Sequence, residues 1–394
     1  MPKKNQKNKE NFGRGVAFAC RVGDTLEEAA GSTIKKRDYV PVLEGEPMKR
    51  RWYRVPLPEG LCADGSDYYI YIHKGTSRNL CLFFSGGGLA WNRFTAAHPT
   101  TAGKMLTRLP NYYWSNLRPV TQLMNVGLGI TNTNSAHNPF YDWNFVIVTY
   151  ATADLHIGNS SFSYLDEEGV ERVLHFHGMK NVEEAMKKAA CFFPDPEKIL
   201  VAGNSAGAFA VAALSGYIKE NYYPGCRDIT VLSDSGQLVS NDWKHIARDL
   251  WNSPKELVDA LEGKNPTLDW FRLLNKKHPG AFRCLYASSV FDFILSAYYN
   301  DLENRVFRTD EEVQQEFRAQ LVQMVHELRE INPQFGFFLN NWKIPGLTMG
   351  GTTHTSVREN YFTRFEEEGV TMSQWLSDAV YGNVYSVGMH YLKG

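Results

Sequence analysis

The sequence predicts an α/β fold: a mostly parallel central sheet with helices on both faces. Three observations predict it. Short, continuously apolar runs recur along the chain, helical patterns separate them, and most runs end in loops rich in glycine and polar residues. Buried parallel strands read as unbroken apolar runs because helices cover both faces of such sheets.

Seven segments are predicted as strands. The first alternates apolar and polar residues, and the other six are continuously apolar. In an open parallel sheet the ligand lies beyond the carboxyl ends of the strands, so the loops that follow these segments are the predicted site. In chain order the segments are Asp67–His73, Leu80–Phe84, Phe145–Tyr150, Ile199–Ala202, Ile229–Leu232, Phe282–Ala287 and Phe335–Leu339.

The chain is predicted to form one domain. No internal repeat or low-complexity linker divides it, so we expect a disordered tail at residues 1–12 and a single domain over 13–394. The helical stretch Asp242–His278 has no place in the sheet and is predicted to be a cap inserted at about 242–280. The clearest helical patterns between strands are Asn181–Ala190 and Glu311–Arg329.

The composition argues against some classes of partner. The formal net charge is −1, which gives no electrostatic reason to expect a nucleic-acid or anionic-membrane partner. No run of about 18 apolar residues is present to span a membrane. The six cysteines form no CxxC pair, and the basic N-terminus lacks the apolar segment of a signal peptide. The cytoplasm is therefore the default expectation.

The strongest motif for chemistry is Gly203-Asn204-Ser205-Ala206-Gly207. An apolar strand enters it, a helix of small residues (Ala208–Ile218) leaves it, and glycines flank Ser205 where a strained turn has no room for side chains. This context is typical of the nucleophile elbow of α/β hydrolases. The alternative is a tight strand–helix turn with an incidental serine. We therefore predict an α/β-hydrolase fold with Ser205 as the nucleophile.

An attacking serine needs N–H donors for the negative charge that develops on the carbonyl oxygen of its substrate. In this class one donor is the N–H of the residue after the nucleophile, here Ala206. The other comes from a glycine-rich loop after an earlier strand, which Ser85–Gly88 supplies. A phosphate-binding turn is the alternative, although these glycines lack the spacing of the common nucleotide motifs.

The base and acid of a triad follow the serine in the order serine, acid, histidine. His354 lies in a loop after the last predicted strand, where the class places its base. Asp292 follows the fifth apolar run and Asp234 the fourth; Asp292 is favoured because it precedes the histidine-bearing strand directly, and Asp234 is the rival. The other histidines after Ser205 lie in helical or terminal segments and are His245, His278, His326 and His390.

Two other histidine patterns have competing interpretations. His175 and His177 lie on one face of a predicted strand, but no third ligand stands at a supporting spacing, so no metal site is predicted. Asp154 and His156 follow a strand and could join the active site. A structural hydrogen-bonded pair is the alternative.

Longer motifs resemble the pectin acetylesterase and Notum family of α/β hydrolases. Asn138–Gly158 resembles the family's NPFxxWNxVxVxYxxxDxHxG stretch, and Asp234-Ser235-Gly236 resembles its DSG motif. The resemblance covers roughly residues 67–382. The other matching segments are Leu174–Gly178, before a helix, and Gly351–Thr355 with Gly369–Leu376, which are similar to the C-terminal end of bacterial members.

The resemblance implies a serine carboxylester hydrolase that uses no metal or cofactor. Its implied substrate is acetylated, pectin-like carbohydrate or a related small ester, cleaved through an acyl-enzyme. A long-chain deacylase of the Notum type is the alternative, and a non-catalytic binding protein on this scaffold is a third. The implied catalytic residues are Ser205, Asp292 and His354, and the implied oxyanion donors are Gly87, Gly88 and Ala206.

The chain departs from the family pattern beside the three glycines. An aromatic residue, often tryptophan, usually follows them, whereas here Leu89 does and Trp91 comes two residues later. Trp91 is therefore a candidate substrate-binding residue. Trp114 and Trp143 are further candidates for the substrate wall, with buried packing as the alternative.

Overall fold

The structure is a computed structural model that describes six ranges of the chain. No helix within these ranges is long and apolar enough to cross a membrane. The expected disordered tail, residues 1–12, lies outside them. The described residues are 40–101, 103–104, 110–117, 125–166, 168–343 and 350–393.

Eight described strands form a central sheet, and two short strand pairs lie outside it. Numbered in chain order, the strands of the sheet are β1 (Arg51–Leu61), β2 (Asp67–Lys74), β3 (Leu80–Phe84), β4 (Asn144–Val148), β7 (Ile199–Asn204), β8 (Ile229–Asp234), β9 (Phe282–Ser289) and β10 (Gly336–Asn340). The separate pairs are β5 (Ser160–Leu165) with β6 (Glu171–Phe176), and β11 (Glu366–Glu367) with β12 (Val370–Thr371).

The central sheet is mostly parallel. Its order is β1-β2-β4-β3-β7-β8-β9-β10. The six strands from β4 to β10 run parallel, and β1 and β2 are antiparallel additions at one edge. All seven predicted strand segments are present, with ends that differ by at most two residues. The predicted sheet is therefore confirmed.

Helices lie between most of the strands. Two of them begin at the residue that follows a candidate site residue, Ser205 in one case and Asp292 in the other. In chain order the helices are α1 (Arg93–Ala96), α2 (Gly178–Phe192), α3 (Ala206–Asn221), α4 (Trp243–His245), α5 (Lys255–Asp259), α6 (Pro266–Lys277), α7 (Phe293–Asn304), α8 (Glu311–Ile331) and α9 (Met372–Val380).

The sheet separates two apolar cores. Alternate strand residues point to opposite faces, so Leu82 and Val201 join the larger core, whereas Phe83 and Leu200 join the smaller one. Helices α2, α3, α6 and α8 contribute to the larger core, and α9 contributes Trp375 and its neighbours to the smaller. Both faces are therefore covered, as the continuous apolar strands predict.

Strand β1 was not among the predicted strands. It contains Pro56 and Pro58, which lower the expectation of a strand because proline cannot donate to a ladder. The structure tolerates them because β1 is an edge strand, whose one strand partner among the described residues is β2 and whose other side carries only an isolated bridge from Arg54 to Val42. The register also shifts between Leu57 and Leu61.

The segment predicted as a cap is helical. Helices α4 to α6 fill the chain between β8 and β9, with a π-helical turn at Ile246–Leu250. Helix α6 packs against α3 and α8. The segment reaches the predicted site at Trp251, whose indole Nε1 donates to the carbonyl of Ala90 at 2.9 Å. Its role as a cap, and the single-domain division, stay predictions.

We predict that Gly207→Ala destabilises the fold. A Cβ at residue 207 would lie 2.0 Å from the carbonyl oxygen of Phe84, so α3 and the end of β3 would have to separate. Overpacking of this kind costs about 1–3 kcal/mol or more, measurable as the free energy of unfolding in urea. Gly225→Ala is the control, because its Cβ would meet no atom within 4 Å. Equal stability of the two variants would contradict the close contact.

Candidate active site

The site lies where the chain changes direction across the sheet. Strands β3 and β7 are parallel neighbours, but β3 is followed by β4 on one side and β7 by β8 on the other. Loops that leave two such strands diverge and open a crevice at their carboxyl ends. The two loops are the glycine loop, defined here as Ser85–Ala90, and the turn at Ser205.

Ser205 has a strained backbone. Its φ is +55° and its ψ is −125°, in a region that residues with a Cβ rarely adopt. The turn is held by its N–H, which donates to the carbonyl of Asp234 at 2.9 Å. A Cβ on Gly86 would lie 2.5 Å from Ser205 Cβ and 3.2 Å from its Oγ. The glycine loop therefore lies directly against the serine side chain.

The first peptide of the glycine loop is held at both ends. The carbonyl of Ser85 accepts from His156 Nε2 at 2.9 Å, and the N–H of Gly86 donates to Asn204 Oδ1 at 3.2 Å. Because a peptide unit is planar, these two bonds set the orientation of the whole unit. Asn204 is the residue before Ser205, so the serine turn itself supplies one of the two partners.

The next part of the loop pairs with residues 112–114. Gly87 accepts from the N–H of Trp114, and Leu89 donates to the carbonyl of Tyr112, each at 2.9 Å. Gly88 has φ +81°, and a Cβ there would lie 1.8 Å from the carbonyl oxygen of Tyr112. Only glycine fits this position.

Three N–H groups around Ser205 have no acceptor among the described residues. They belong to Gly87, Gly88 and Ala206. Ala206 is the first residue of α3, and the first N–H groups of a helix have no partner within it. These N–H groups belong to the three residues predicted as oxyanion donors, and they are therefore unpaired among the described residues.

Asp292 and His354 are brought into direct contact. The distance from His354 Nδ1 to Asp292 Oδ2 is 2.7 Å. The other carboxylate oxygen of Asp292 caps α7 by accepting from the N–H groups of Ile294 and Leu295, at 3.0 and 2.9 Å. The cap fixes the carboxylate so that Oδ2 faces the imidazole.

Asp234 has a different position from Asp292. Its fully buried Oδ2 accepts from the backbone N–H groups of Ser356 and Val357, at 2.6 and 2.7 Å. The hydroxyl of Ser235 accepts from the N–H of Thr355 at 3.2 Å. Asp234 therefore holds the loop that follows His354, whereas Asp292 binds the imidazole itself.

The electrostatics of His354 follow from these carboxylates. Burial disfavours the imidazolium, but the surrounding carboxylates, of which Asp292 has the largest effect, together outweigh burial and raise the pKa of His354 above its ordinary value. Asp234 adds to the same effect at longer range. Burial also raises the pKa of Asp234 to about 6, against the N–H groups of Val357 and Ser356 that favour its ionised form.

Asp154 and His156 form a buried unit behind the glycine loop. Burial raises the pKa of Asp154 to about 7 and lowers the pKa of His156 to about 4. Asp154 Oδ1 accepts from the N–H of His156 at 3.1 Å, and Oδ2 accepts from the N–H of Gly178 at 2.7 Å. Asp154 and His156 are therefore hydrogen-bonded to each other, but through the backbone N–H of His156. The imidazole ring of His156 contacts the glycine loop instead.

The tryptophans proposed for the substrate wall differ in exposure. Trp91 is 9% exposed, and its ring packs on Tyr112 and Tyr298, with centroids 5.1 and 5.8 Å away. It offers little surface to a substrate. Trp143 is 1% exposed and belongs to the smaller core. Trp114 is half-buried, and its Cδ1 lies 3.2 Å from where a Cβ on Gly87 would stand.

His175 and His177 have separate partners. His175 Nδ1 pairs with the hydroxyl of Ser161 at 3.0 Å, and His177 Nε2 contacts the carbonyl of Glu59 at 3.2 Å. Within the described parts of the chain, no group of three or more histidine, cysteine, aspartate or glutamate side chains has an arrangement suited to a metal ion.

Sequence reasoning missed several groups that hold the site. Asn204 stands inside the elbow motif, so its position beside Ser205 was the available signal. Trp251 lies 161 residues from its partner Ala90 in the sequence, and no local sequence pattern predicts a bond over that separation. The bond from His156 to Ser85 could not be predicted either, because only the folded sheet brings the two loops together.

We predict that the His354 imidazole titrates above its ordinary range and that Asp292→Asn lowers its pKa. The variant removes the negative charge that stabilises the imidazolium, while the asparagine can still cap α7. Side-chain ¹⁵N NMR of histidine-labelled protein measures the change. His156 is the internal control, because it is neutral above about pH 5 in both proteins. A His354 pKa that is the same in both proteins would contradict the contact.

The chain was compared with known proteins. A family model described as Pectinacetylesterase matches residues 57–300, more than half of the 394 residues. The match includes both loops of the crevice and Asp292, and it ends before His354. No curated protein matched the chain. The chain belongs to the pectinacetylesterase family of carboxylic ester hydrolases and has the α/β-hydrolase fold.

Proposed function

We propose that the protein is a serine acetylesterase that removes acetyl groups from acetylated carbohydrate. The observation that carries this proposal is the 2.7 Å contact between Asp292 Oδ2 and His354 Nδ1, at the carboxyl ends of the strands, where Ser205 occupies a strained turn. These three residues are the proposed acid, base and nucleophile. The family supports ester hydrolysis, and the acetyl and carbohydrate assignments are ours.

The contact with Asp292 sets the tautomer of His354. A carboxylate accepts, so Nδ1 carries the proton and Nε2 is left with a lone pair. In the proposed mechanism Nε2 takes the proton of Ser205 as Oγ bonds to the acetyl carbon. The C–O bond to the sugar then breaks, and the sugar oxygen leaves with that proton. Water, deprotonated by His354, next attacks the acetyl-serine and releases acetic acid and Ser205.

The unpaired N–H groups of Gly87, Gly88 and Ala206 are the proposed oxyanion donors. They need no reorganisation at the moment of reaction because the surrounding loop is already hydrogen-bonded. Their glycine neighbours leave the donors accessible. Losing one donor of this kind costs about 10²–10³ in rate.

The lining of one cavity favours a polar alcohol. The cavity has a volume of about 300 Å³ and is lined by amides, hydroxyls, an imidazole and a guanidinium, from Asn132, Ser135, His137, Asn360, Thr363 and Arg364.

The polar cavity lies near the His354 loop. Gly129 lines it, and a Cβ on Gly129 would lie 2.4 Å from the carbonyl carbon of Arg358. Arg358 follows His354 by four residues, which span at most about 14 Å. A short oligosaccharide could therefore contact this cavity while its acetyl group lies at Ser205.

We predict that ester turnover depends on Ser205 and decreases with acyl length. Initial rates on p-nitrophenyl acetate, butyrate, octanoate and palmitate should fall steeply beyond butyrate, and Ser205→Ala should abolish them. Ser215→Ala is the matched control: it removes a buried serine hydroxyl of α3, the helix that follows Ser205, and this hydroxyl donates to the carbonyl of Val211. A preference for palmitate would instead support a long-chain deacylase. Turnover that survives Ser205→Ala would refute the mechanism, and a wild type inactive on all four esters would count against the proposed esterase activity.

We predict that Asp292→Asn and Asp234→Asn have unequal effects. Loss of the Asp292 carboxylate should reduce kcat by about 10³–10⁴, because it fixes the tautomer of the base. Asp234→Asn keeps an oxygen that can accept from the loop N–H groups, so we expect a loss of about tenfold or less. The proposed mechanism requires neutral His354, so kcat should fall as the pH drops below the raised pKa of this residue. Loss of either carboxylate lowers that pKa and should move the fall in kcat to lower pH. The kcat–pH profile measures both effects. A larger loss of kcat in Asp234→Asn would exchange the roles of the two residues.

A further inference from the structure

We propose that His156 is a positioning residue of the active site, which orients the oxyanion donors by fixing the first peptide of the glycine loop. The inference rests on the proposed function and adds a residue outside the serine, histidine and aspartate that perform the chemistry. It follows from the contacts of the His156 ring and from the hydrogen bonds of the loop.

The ring of His156 is placed for this one contact. The residue is 1% exposed. Its ring packs edge-on against the ring of Phe84, with centroids 5.3 Å apart, and at a tilt against the ring of Tyr150, with centroids 4.6 Å apart. Its Nε2 lies 2.9 Å from the carbonyl oxygen of Ser85. Among the described residues, no other group donates to this carbonyl. Without this bond the buried carbonyl would be unpaired, which is destabilising.

The protonation of His156 follows from its partner. A carbonyl oxygen only accepts, so Nε2 carries the proton. Burial lowers the pKa of His156 to about 4, so the ring is neutral at the pH at which an imidazole base such as His354 can act. His156 is therefore a fixed donor and does not exchange protons during the reaction.

The backbone that carries His156 is strained. Ala153, Leu155 and His156 have φ of +60°, +56° and +65°, although none is glycine. Strain of this kind persists only where the surroundings enforce it, and it is concentrated at functional sites. Here the turn presents the imidazole to the glycine loop. The N–H of Ala90 also donates to the carbonyl of Ala153 at 2.9 Å.

Two buried side chains enforce the strained turn. Asp154 Oδ1 accepts from the hydroxyl of Thr152 at 2.6 Å and from the N–H of His156 at 3.1 Å. The hydroxyl of Tyr150 accepts from the N–H of Leu155 at 2.9 Å. The turn is thus tied to the loop by His156 and internally by its own polar groups.

The geometry of the glycine loop shows why one carbonyl matters. Peptide units are planar, so fixing an oxygen also fixes the N–H of the following residue. Trp114 fixes the carbonyl of Gly87 and hence the N–H of Gly88. Among the described residues, no group donates to the carbonyl of Gly86, whose peptide carries the N–H of Gly87. The direction of that N–H therefore depends on the preceding peptide unit, from Ser85 to Gly86. His156 and Asn204 hold that unit.

The test compares His156→Phe with His73→Phe. His73 is a matched control: it is 2% exposed, its Nδ1 lies 3.2 Å from the carbonyl of Trp143, and burial lowers its pKa. It lies on β2, away from the glycine loop. The assay is p-nitrophenyl acetate hydrolysis, with thermal melting of each variant. We expect His156→Phe to lower kcat by about 10²-fold, with KM changed by less than about threefold, and His73→Phe to leave both within about threefold.

A second readout separates positioning from stability. A trifluoromethyl ketone reacts with the proposed nucleophilic serine to give a tetrahedral adduct, and this adduct carries the oxyanion. The Ki of the ketone should therefore rise in His156→Phe by about the same factor as kcat falls, whereas the KM of the substrate should not rise. His156→Gln, which retains an N–H donor, should recover part of the lost rate. If His156→Phe does not fold, His156→Met takes its place with the same expectation.

The outcomes are distinct. Unchanged kcat and Ki in the folded His156 variant would overturn the proposal, as would equal losses of kcat in the His73 variant. Either result could occur while wild type hydrolyses the ester and Ser205→Ala does not, so the proposed function would stand. If Ser205→Ala retained full turnover, the proposed function itself would fail.

Discussion

The active-site arrangement depends on Asp234 at the end of β8. Its backbone carbonyl accepts from the N–H of Ser205, and its carboxylate accepts from Ser356 and Val357 in the loop after His354. One buried residue therefore connects the turn of the proposed nucleophile to the loop of the proposed base, which lie about 150 residues apart in the sequence. The buried carboxylate is tolerated because N–H groups satisfy it.

Glycine residues allow the glycine loop and the turn at Ser205 to pack closely together. The turn at Ser205 and the glycine loop approach so closely that side chains at Gly86, Gly88 or Gly207 would collide with backbone or with the serine. The close approach brings the loop that carries two of the unpaired N–H groups against the side chain of Ser205. Around them, Asn204, Trp114, Tyr112 and His156 bind the rest of the loop. The result is a rigid set of donors on the end of a buried sheet, which is the requirement for electrostatic preorganisation.

Much of this could be predicted from patterns of short range. The apolar strands, the elbow around Ser205 and the three glycines are local, because each reflects a backbone conformation that few residues accept. Chain order favoured Asp292 over Asp234, and in the structure Asp292 is the one that contacts His354. Trp91 shows the limit: its place beside the glycines made it a candidate, and packing against Tyr112 and Tyr298 buries it.

The sequence by itself determined the sheet and the turn at Ser205, and it supplied the residue types of the proposed acyl transfer, because periodicity and glycine placement act over a few residues. Only the tertiary structure decided which carboxylate meets the imidazole, which N–H groups stay unpaired and which side chain binds the Ser85 carbonyl. These depend on contacts between segments that are 62 to 123 residues apart. Such contacts exist only after β3, β7, β8 and β9 have aligned their carboxyl ends, and no local pattern encodes that alignment.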